Sequence, residues 1–185
     1  MSRIQRTQGR DVTRLRIEPL EDRQMLAQYA FAMNLYQDAG GAPGDLITND
    51  SVQVGDSFFV EITAEDLRAE PLGLRGLGLR IRWDPQAFEE IDTPFDPAAS
   101  DSPLVTSKFP LYRGGDVDNA NGVIEWLQGS AFLAMGAGDV IGVNGPERFA
   151  LLHFRAEQLA QQSPLSMRVC GGVGFVPMRS YTSDD

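Results

Sequence analysis

The chain has 185 residues, 42% of them hydrophobic and 23% charged, a balance that excludes wholesale disorder and fits one ordinary domain plus an extra segment. Its formal charge of −10 argues against nucleic acid as a partner, because a phosphate backbone demands concentrated basic charge. The single cysteine, Cys170, excludes an intramolecular disulfide framework and a cysteine-built metal site, and no apolar run reaches transmembrane length.

Residues 1–23 hold six arginines against four acids, a local +2 that leaves −12 for the rest of the chain. Residues 1–27 therefore read as a basic arm without structure, of the kind that serves targeting. The apolar stretch 25–33 is interrupted by Gln28 and Tyr29, so it is not a clean secretory signal. Tyr29, Phe31, Met33 and Leu35 then alternate with smaller or polar residues and predict a first strand. Gly and Pro mark residues 40–45 as a loop.

Two strands with a period of two dominate the centre. In the first, Phe58, Val60, Ile62 and Ala64 share one face; in the second, Leu77, Leu79, Ile81 and Trp83 do, with Arg80 and Arg82 opposite. Such alternation marks half-buried strands of an antiparallel sheet. Asp84-Pro85 is a helix-start pair and predicts a short helix over 84–91. Residues 92–107 read as a long surface loop. A short strand is expected over 108–112, then a turn over 114–122 with the hairpin signal Asn121-Gly122. Strands follow over 123–128, 131–135 and 149–156, where Leu152, Phe154 and Ala156 share a face. A short helix over 157–161 and a last strand over 165–170 complete the chain. Eight or nine short strands with turns between them indicate a β-sandwich.

Two stretches resemble known families. Leu20, Glu21, Arg23 and Leu26, beside the Arg-rich arm, resemble the LEPR-XLL leader of large extracellular bacterial proteins, with Asp22 in place of its proline and Met25 in place of its first leucine. Val54-Gly55-Asp56-Ser57-Phe58-Phe59-Val60, the Gly-rich approach to Leu79-Arg80-Ile81-Arg82-Trp83-Asp84-Pro85, and Asn121-Gly122-Val123-Ile124-Glu125-Trp126 resemble a cohesin domain, Trp83 replacing the commoner tyrosine. The resemblance implies an antiparallel jelly-roll sandwich of about nine strands, related to carbohydrate-binding modules, over residues 28–180, with 1–27 a sorting segment and 181–185 a tail. It also implies a noncatalytic, exported, cell-surface or extracellular module that binds a dockerin-like protein, calcium being carried by that partner. The partner would dock on an outer sheet face carrying Arg80, Arg82, Glu125, Leu127, His153 and Arg155. The alternative is a carbohydrate-binding module engaged in polysaccharide attachment or breakdown, stacking sugars on Tyr36, Phe59, Tyr112 and Trp126.

Catalytic constellations are poorly supported. His153 is the only histidine, so a nucleophile pair would have to be Cys170 with His153, and no spacing favours it. Asp116, Asp118 and Asn121 lie in an oxygen-rich stretch, but Val117 and Gln128 stand where a calcium loop needs ligands; a nonstandard calcium site and a solvated hairpin turn both remain open. Gly136 to Gly142 lacks the helix of a dinucleotide fingerprint. Glu89, Glu90, Asp92, Asp96 and Asp101 form an acidic edge instead of two carboxylates facing across a cleft.

Overall fold

A computed structural model describes residues 12–17, 28–49, 51–91, 105–131, 136, 138–159 and 163–173, with the backbone alone at 12–17, 112 and 171–173. The strands are β1 (Val12–Ile17), β2 (Tyr29–Asp38), β3 (Pro43–Leu46), β4 (Ser51–Gln53), β5 (Ser57–Asp66), β6 (Gly76–Arg82), β7 (Phe88–Glu90), β8 (Leu111–Asp118), β9 (Val123–Ser130), β10 (Glu147–Ala156) and β11 (Ser163–Val173). They form two sheets, β4-β1-β11-β6-β9-β8 and β3-β2-β5-β10-β7. Every ladder is antiparallel except β1 with β11. The protein is an all-β sandwich, as the strand pattern implies. No described helix is long and apolar enough to cross a membrane.

The inner faces are those that alternation picks out. Phe58, Val60, Ile62 and Ala64 of β5 are at most 1% exposed, and Leu77, Leu79, Ile81 and Trp83 at most 5%. They meet Leu152, Phe154 and Ala156 of β10 in one core. Phe58 lies edge-on to Phe88 and stacks on Phe154, and Trp83 lies edge-on to Phe154. The Trp83 ring N–H donates to the carbonyl of Phe88 at 3.0 Å, so its polar atom is satisfied without leaving the core.

Several expected elements differ. Asp84-Pro85 opens one turn and no helix: Asp84 accepts from the amides of Gln86, Ala87 and Phe88. The chain then becomes β7, because Phe88 and Glu90 alternate inward beside β10. Residues 157–159 are likewise not helical. The strand expected over 108–112 starts at Leu111 and runs on to Asp118, through residues read as turn, so the turn proper is 119–122. Pro43–Leu46 folds back on β2 where a loop is expected. Six residues of the basic arm, Val12–Ile17, form β1 between β4 and β11; their V-T-R-L-R-I order alternates with the strand period. With β4 (Ser51–Gln53), also not expected, these additions bring the count among the described residues to eleven strands where about nine are expected. Leu20, Glu21, Arg23 and Leu26, the strand expected over 131–135 beyond Ala131, most of the 92–107 loop and the 181–185 tail lie outside the described residues.

Two polar anchors fix the loops. Asp66, whose side chain is fully buried, takes a two-pronged bond from the Arg68 guanidinium and accepts the backbone amides of Arg68, Leu72 and Gly73. The Arg68 bond, then the backbone amides, hold its carboxyl far below the usual carboxylate range against the opposing effect of burial. At the other end, the Asn119 side chain bonds both the amide and the carbonyl of Glu90, at 2.9 and 2.8 Å. It acts as a short surrogate strand that ties the β8–β9 turn to β7.

Candidate interaction face

The outer face of β11-β6-β9-β8 carries the first candidate group. On β6, Arg80 and Arg82 point away from the core, as their alternation with Leu79 and Ile81 requires. On β9 the alternation breaks. Leu79 pairs with Leu127 but Ile81 pairs with Ile124, so Arg80 faces two residues, Glu125 and Trp126. Across the other edge, Asp116 pairs with Glu125 and Gly114 with Gln128, so Gly115 also faces two. This is a β-bulge, one extra residue inserted into β9.

The bulge reverses one expectation, for Leu127, and decides that Trp126 faces solvent. Leu127, placed by strict alternation on the outer face, is 0% exposed, as is Ile124. Trp126, which alternation would turn inward, is 55% exposed. Its φ is +56°, and it is the one non-glycine with positive φ among the described residues. A bulky side chain in this left-handed region costs roughly 1–2 kcal/mol. Gly115 permits the close packing opposite: a Cβ there would lie 3.1 Å from the Ile124 side chain.

Charge is segregated around Trp126. Arg80 Nε donates to Glu125 Oε2 at 2.6 Å, both side chains about one-third exposed. Arg168 of β11 lies directly across from Arg80 and is exposed. Arg82 is exposed and has no ion-pair partner among the described residues; the same holds for Asp116 on β8. Cys170 borders the group. Burial pushes its thiol above the ordinary value, with Arg80 opposing and Glu125 reinforcing that shift, so it is a thiol and not a thiolate nucleophile at neutral pH.

His153 and Arg155 do not join this face. They belong to β10, in the other sheet, so the six expected docking residues divide: Arg80, Arg82 and Glu125 outside one sheet, His153 and Arg155 outside the other, Leu127 in the core. Sheet membership of β10 follows from its long-range pairing with β5 and β7, which local alternation does not encode. Arg155 is already held between Glu89 and Glu157. His153 stacks on Phe59, ring centres 4.1 Å apart and planes 11° from parallel, with Nε2 3.2 Å from Asp38 Oδ2. Backbone bonding from Gly41, then the contact with His153, holds the Asp38 carboxyl below its ordinary value. His153 and Cys170 thus lie on separate sheets and form no catalytic pair.

The aromatic platform for sugars is also dispersed. Phe59 is 4% exposed, its ring face occupied by His153. Tyr36 is its neighbour across β2–β5 and donates its hydroxyl to Glu61 at 3.1 Å. Trp126 lies outside the opposite sheet, and the backbone of Tyr112 is part of strand β8 in that same sheet. A cleft of about 740 Å³ beside β3 and β4, lined by residues such as Gln37, Asp38, Asn49 and Asp56, has no aromatic ring in its described lining.

The remaining carboxylates are committed or separate. Asp118 accepts from the Asn121 amide and side chain and so builds the hairpin turn, while Asp116 is exposed on the strand. Glu89 points outward to Arg155 and Glu90 is buried; Asp92, Asp96 and Asp101 lie outside the described residues. No group of three His, Cys, Asp or Glu among the described residues is placed to hold a metal ion.

No protein-family model matches the sequence, and neither does any curated protein. Solved structures similar to this chain include the third cohesin of ScaC from Acetivibrio cellulolyticus, solved in complex with the ScaB dockerin. It is 13% identical and covers 61% of this chain and 89% of its own, with a TM-score of 0.37. A type II cohesin domain from the cellulosome of the same organism is 13% identical over 67% of this chain and 70% of its own, with a TM-score of 0.42. The seventh ScaB type I cohesin from Pseudobacteroides cellulosolvens is 15% identical over 69% and 76%, with a TM-score of 0.40. At these identities the neighbours do not say what this chain binds.

Proposed function

We propose that this chain is a noncatalytic protein-recognition module of an exported bacterial surface or extracellular protein. A dockerin-type partner would dock on the outer face of β11-β6-β9-β8. The observation that carries the reading is Trp126: a large ring, half in solvent, held there by a bulge on a strained backbone. Strain of this kind destabilises the free protein and marks a position kept for another reason. Burying the exposed 55% of the ring, roughly 140 Å² if the whole side chain presents about 250 Å², would contribute about 3 kcal/mol to a complex. Trp and Arg are the residue types that dominate interface energetics, and Arg80, Arg82 and Arg168 lie on the two strands to one side of the ring. The sheet is preformed, so little conformational entropy would be lost on docking. The sequence resemblance to cohesins supplies the partner class and the export; calcium would belong to the partner.

The test is binding of the immobilised chain to a panel of purified calcium-loaded dockerin modules and, separately, to insoluble polysaccharides. The expected result is chelator-sensitive protein binding that Trp126→Ala and Arg80→Glu/Arg82→Glu abolish. Retention on polysaccharide with no protein binding would replace this reading with the carbohydrate module. Binding that survives both variants would move the site off this face.

A further inference from the structure

The charges on the Trp126 face are sorted by strand. Its basic half is Arg80 and Arg82 on β6 with Arg168 on β11; its acidic half is Glu125 on β9 with Asp116 and Asp118 on β8. Arg80 and Glu125 neutralise one another across the seam, and Asp118 is engaged in its own turn. Arg82 and Asp116, which have no ion-pair partner among the described residues, therefore stand on opposite sides of the exposed Trp126. A surface with a cationic half, an anionic half and an apolar centre is complementary to itself turned through 180° about that centre. A two-fold contact would lay β6 and β11 of one copy over β8 of the other, twice.

Resting on the reading of this face as a protein-binding one, we infer that the face also binds a second copy of the chain, in an isologous dimer that a heterologous partner must displace. Its size makes the dimer weak. Four strands about 4.8 Å apart and some eight residues long cover roughly 400–500 Å² per copy, against about 800 Å² per partner in a standard stable interface. Self-association would thus act as a competitor that lowers apparent partner affinity as the module becomes concentrated.

Sedimentation velocity of the full 185-residue chain at low salt, from about 5 to 500 μM, tests this. The weight-average mass should rise from 20.3 kDa toward twice that value, and added salt should reverse the rise. Trp126→Ala should remain monomeric. So should Arg82→Glu/Arg168→Glu alone and Asp116→Arg alone, each setting like charges against each other. An equimolar mixture of those two variants should associate again, since reversed basic halves then meet reversed acidic halves; a loss of folding could not produce that rescue. Circular dichroism of each variant confirms the fold. A wild-type mass fixed at 20.3 kDa throughout, or failure of the mixture to rescue, overturns the inference. A monomer that still binds a dockerin through Trp126 would overturn it while leaving the proposed function standing. A charge-rescued dimer with no affinity for any dockerin would do the reverse.

Discussion

Replacing Asp66 by Asn keeps the shape of the loop anchor and removes its charge. In the native protein Oδ2 accepts from Arg68, Leu72 and Gly73, and Oδ1 accepts from Arg68. Asparagine must turn an NH₂ group toward one set of these donors, leaving the buried Gly73 amide or the guanidinium without an acceptor. An orphaned buried donor costs about 1–3 kcal/mol, and bonds to a charged group contribute about 1.5–3 kcal/mol. The Arg68 side chain is 16% exposed, so water offsets part of its loss. A net destabilisation of about 2–4 kcal/mol follows, lowering the melting temperature by roughly 5–15 °C for a protein of this size. The pH dependence fixes the cause. The folded carboxyl titrates far below its unfolded value of about 3.9, so its stabilisation is complete above that value and fades as pH falls below it. Urea unfolding at pH 7 and pH 3 should show the gap between wild type and Asp66→Asn narrowing at the lower pH. A gap under about 1 kcal/mol at pH 7, or one unchanged at pH 3, would refute the argument.

The bulge gives a pair of opposite expectations for adjacent residues. Leu127→Ala should cost about 2–5 kcal/mol in urea unfolding, as for any fully buried leucine, whereas Trp126→Ala should cost under about 1.5 kcal/mol, since lost partial burial is partly offset by the smaller side chain at positive φ. Gly122 has φ +62°, and a Cβ there would collide with the Trp83 carbonyl oxygen and lie 2.9 Å from Pro85 Cδ; Gly122→Ala should destabilise by about 2 kcal/mol or more by the same measurement. Removing the ring that covers Phe59 by His153→Ala should cost about 1 kcal/mol in thermal unfolding and leave binding through the Trp126 face unchanged.

How much of this was legible in the sequence depends on range. Inner faces at 58–64 and 77–83 follow from period two, because those strands are regular and their neighbours bury the same side. The Asn121-Gly122 hairpin follows from turn chemistry, and Gly122 takes the positive φ expected of it. The run Ile124-Glu125-Trp126-Leu127 offers no such clue: both the regular strand and the bulged one bury Ile124. The choice between Trp126 and Leu127 is made by registers with β6 and β8. Likewise His153 alternates correctly with Leu152 and Phe154, yet nothing local says which sheet β10 joins. Asp66 lies in an unremarkable Asp-Leu-Arg sequence, and its anchoring role exists only because the chain returns at Leu72 and Gly73. The candidate face was therefore half legible: Arg80, Arg82 and Glu125 by alternation, Trp126 and Arg168 only through pairing.

The chain has two tryptophans, and Trp83 is 5% exposed, so quenching of tryptophan emission by acrylamide reports chiefly on Trp126. Titrating the chain with calcium-loaded dockerin modules, at protein concentrations low enough to keep it monomeric, is the most direct test. The account predicts a blue shift and loss of the quenchable component that saturate with binding and reverse with chelator. A dockerin that binds by an independent measure while the emission and its quenching stay unchanged would show that the Trp126 face is not where the partner sits.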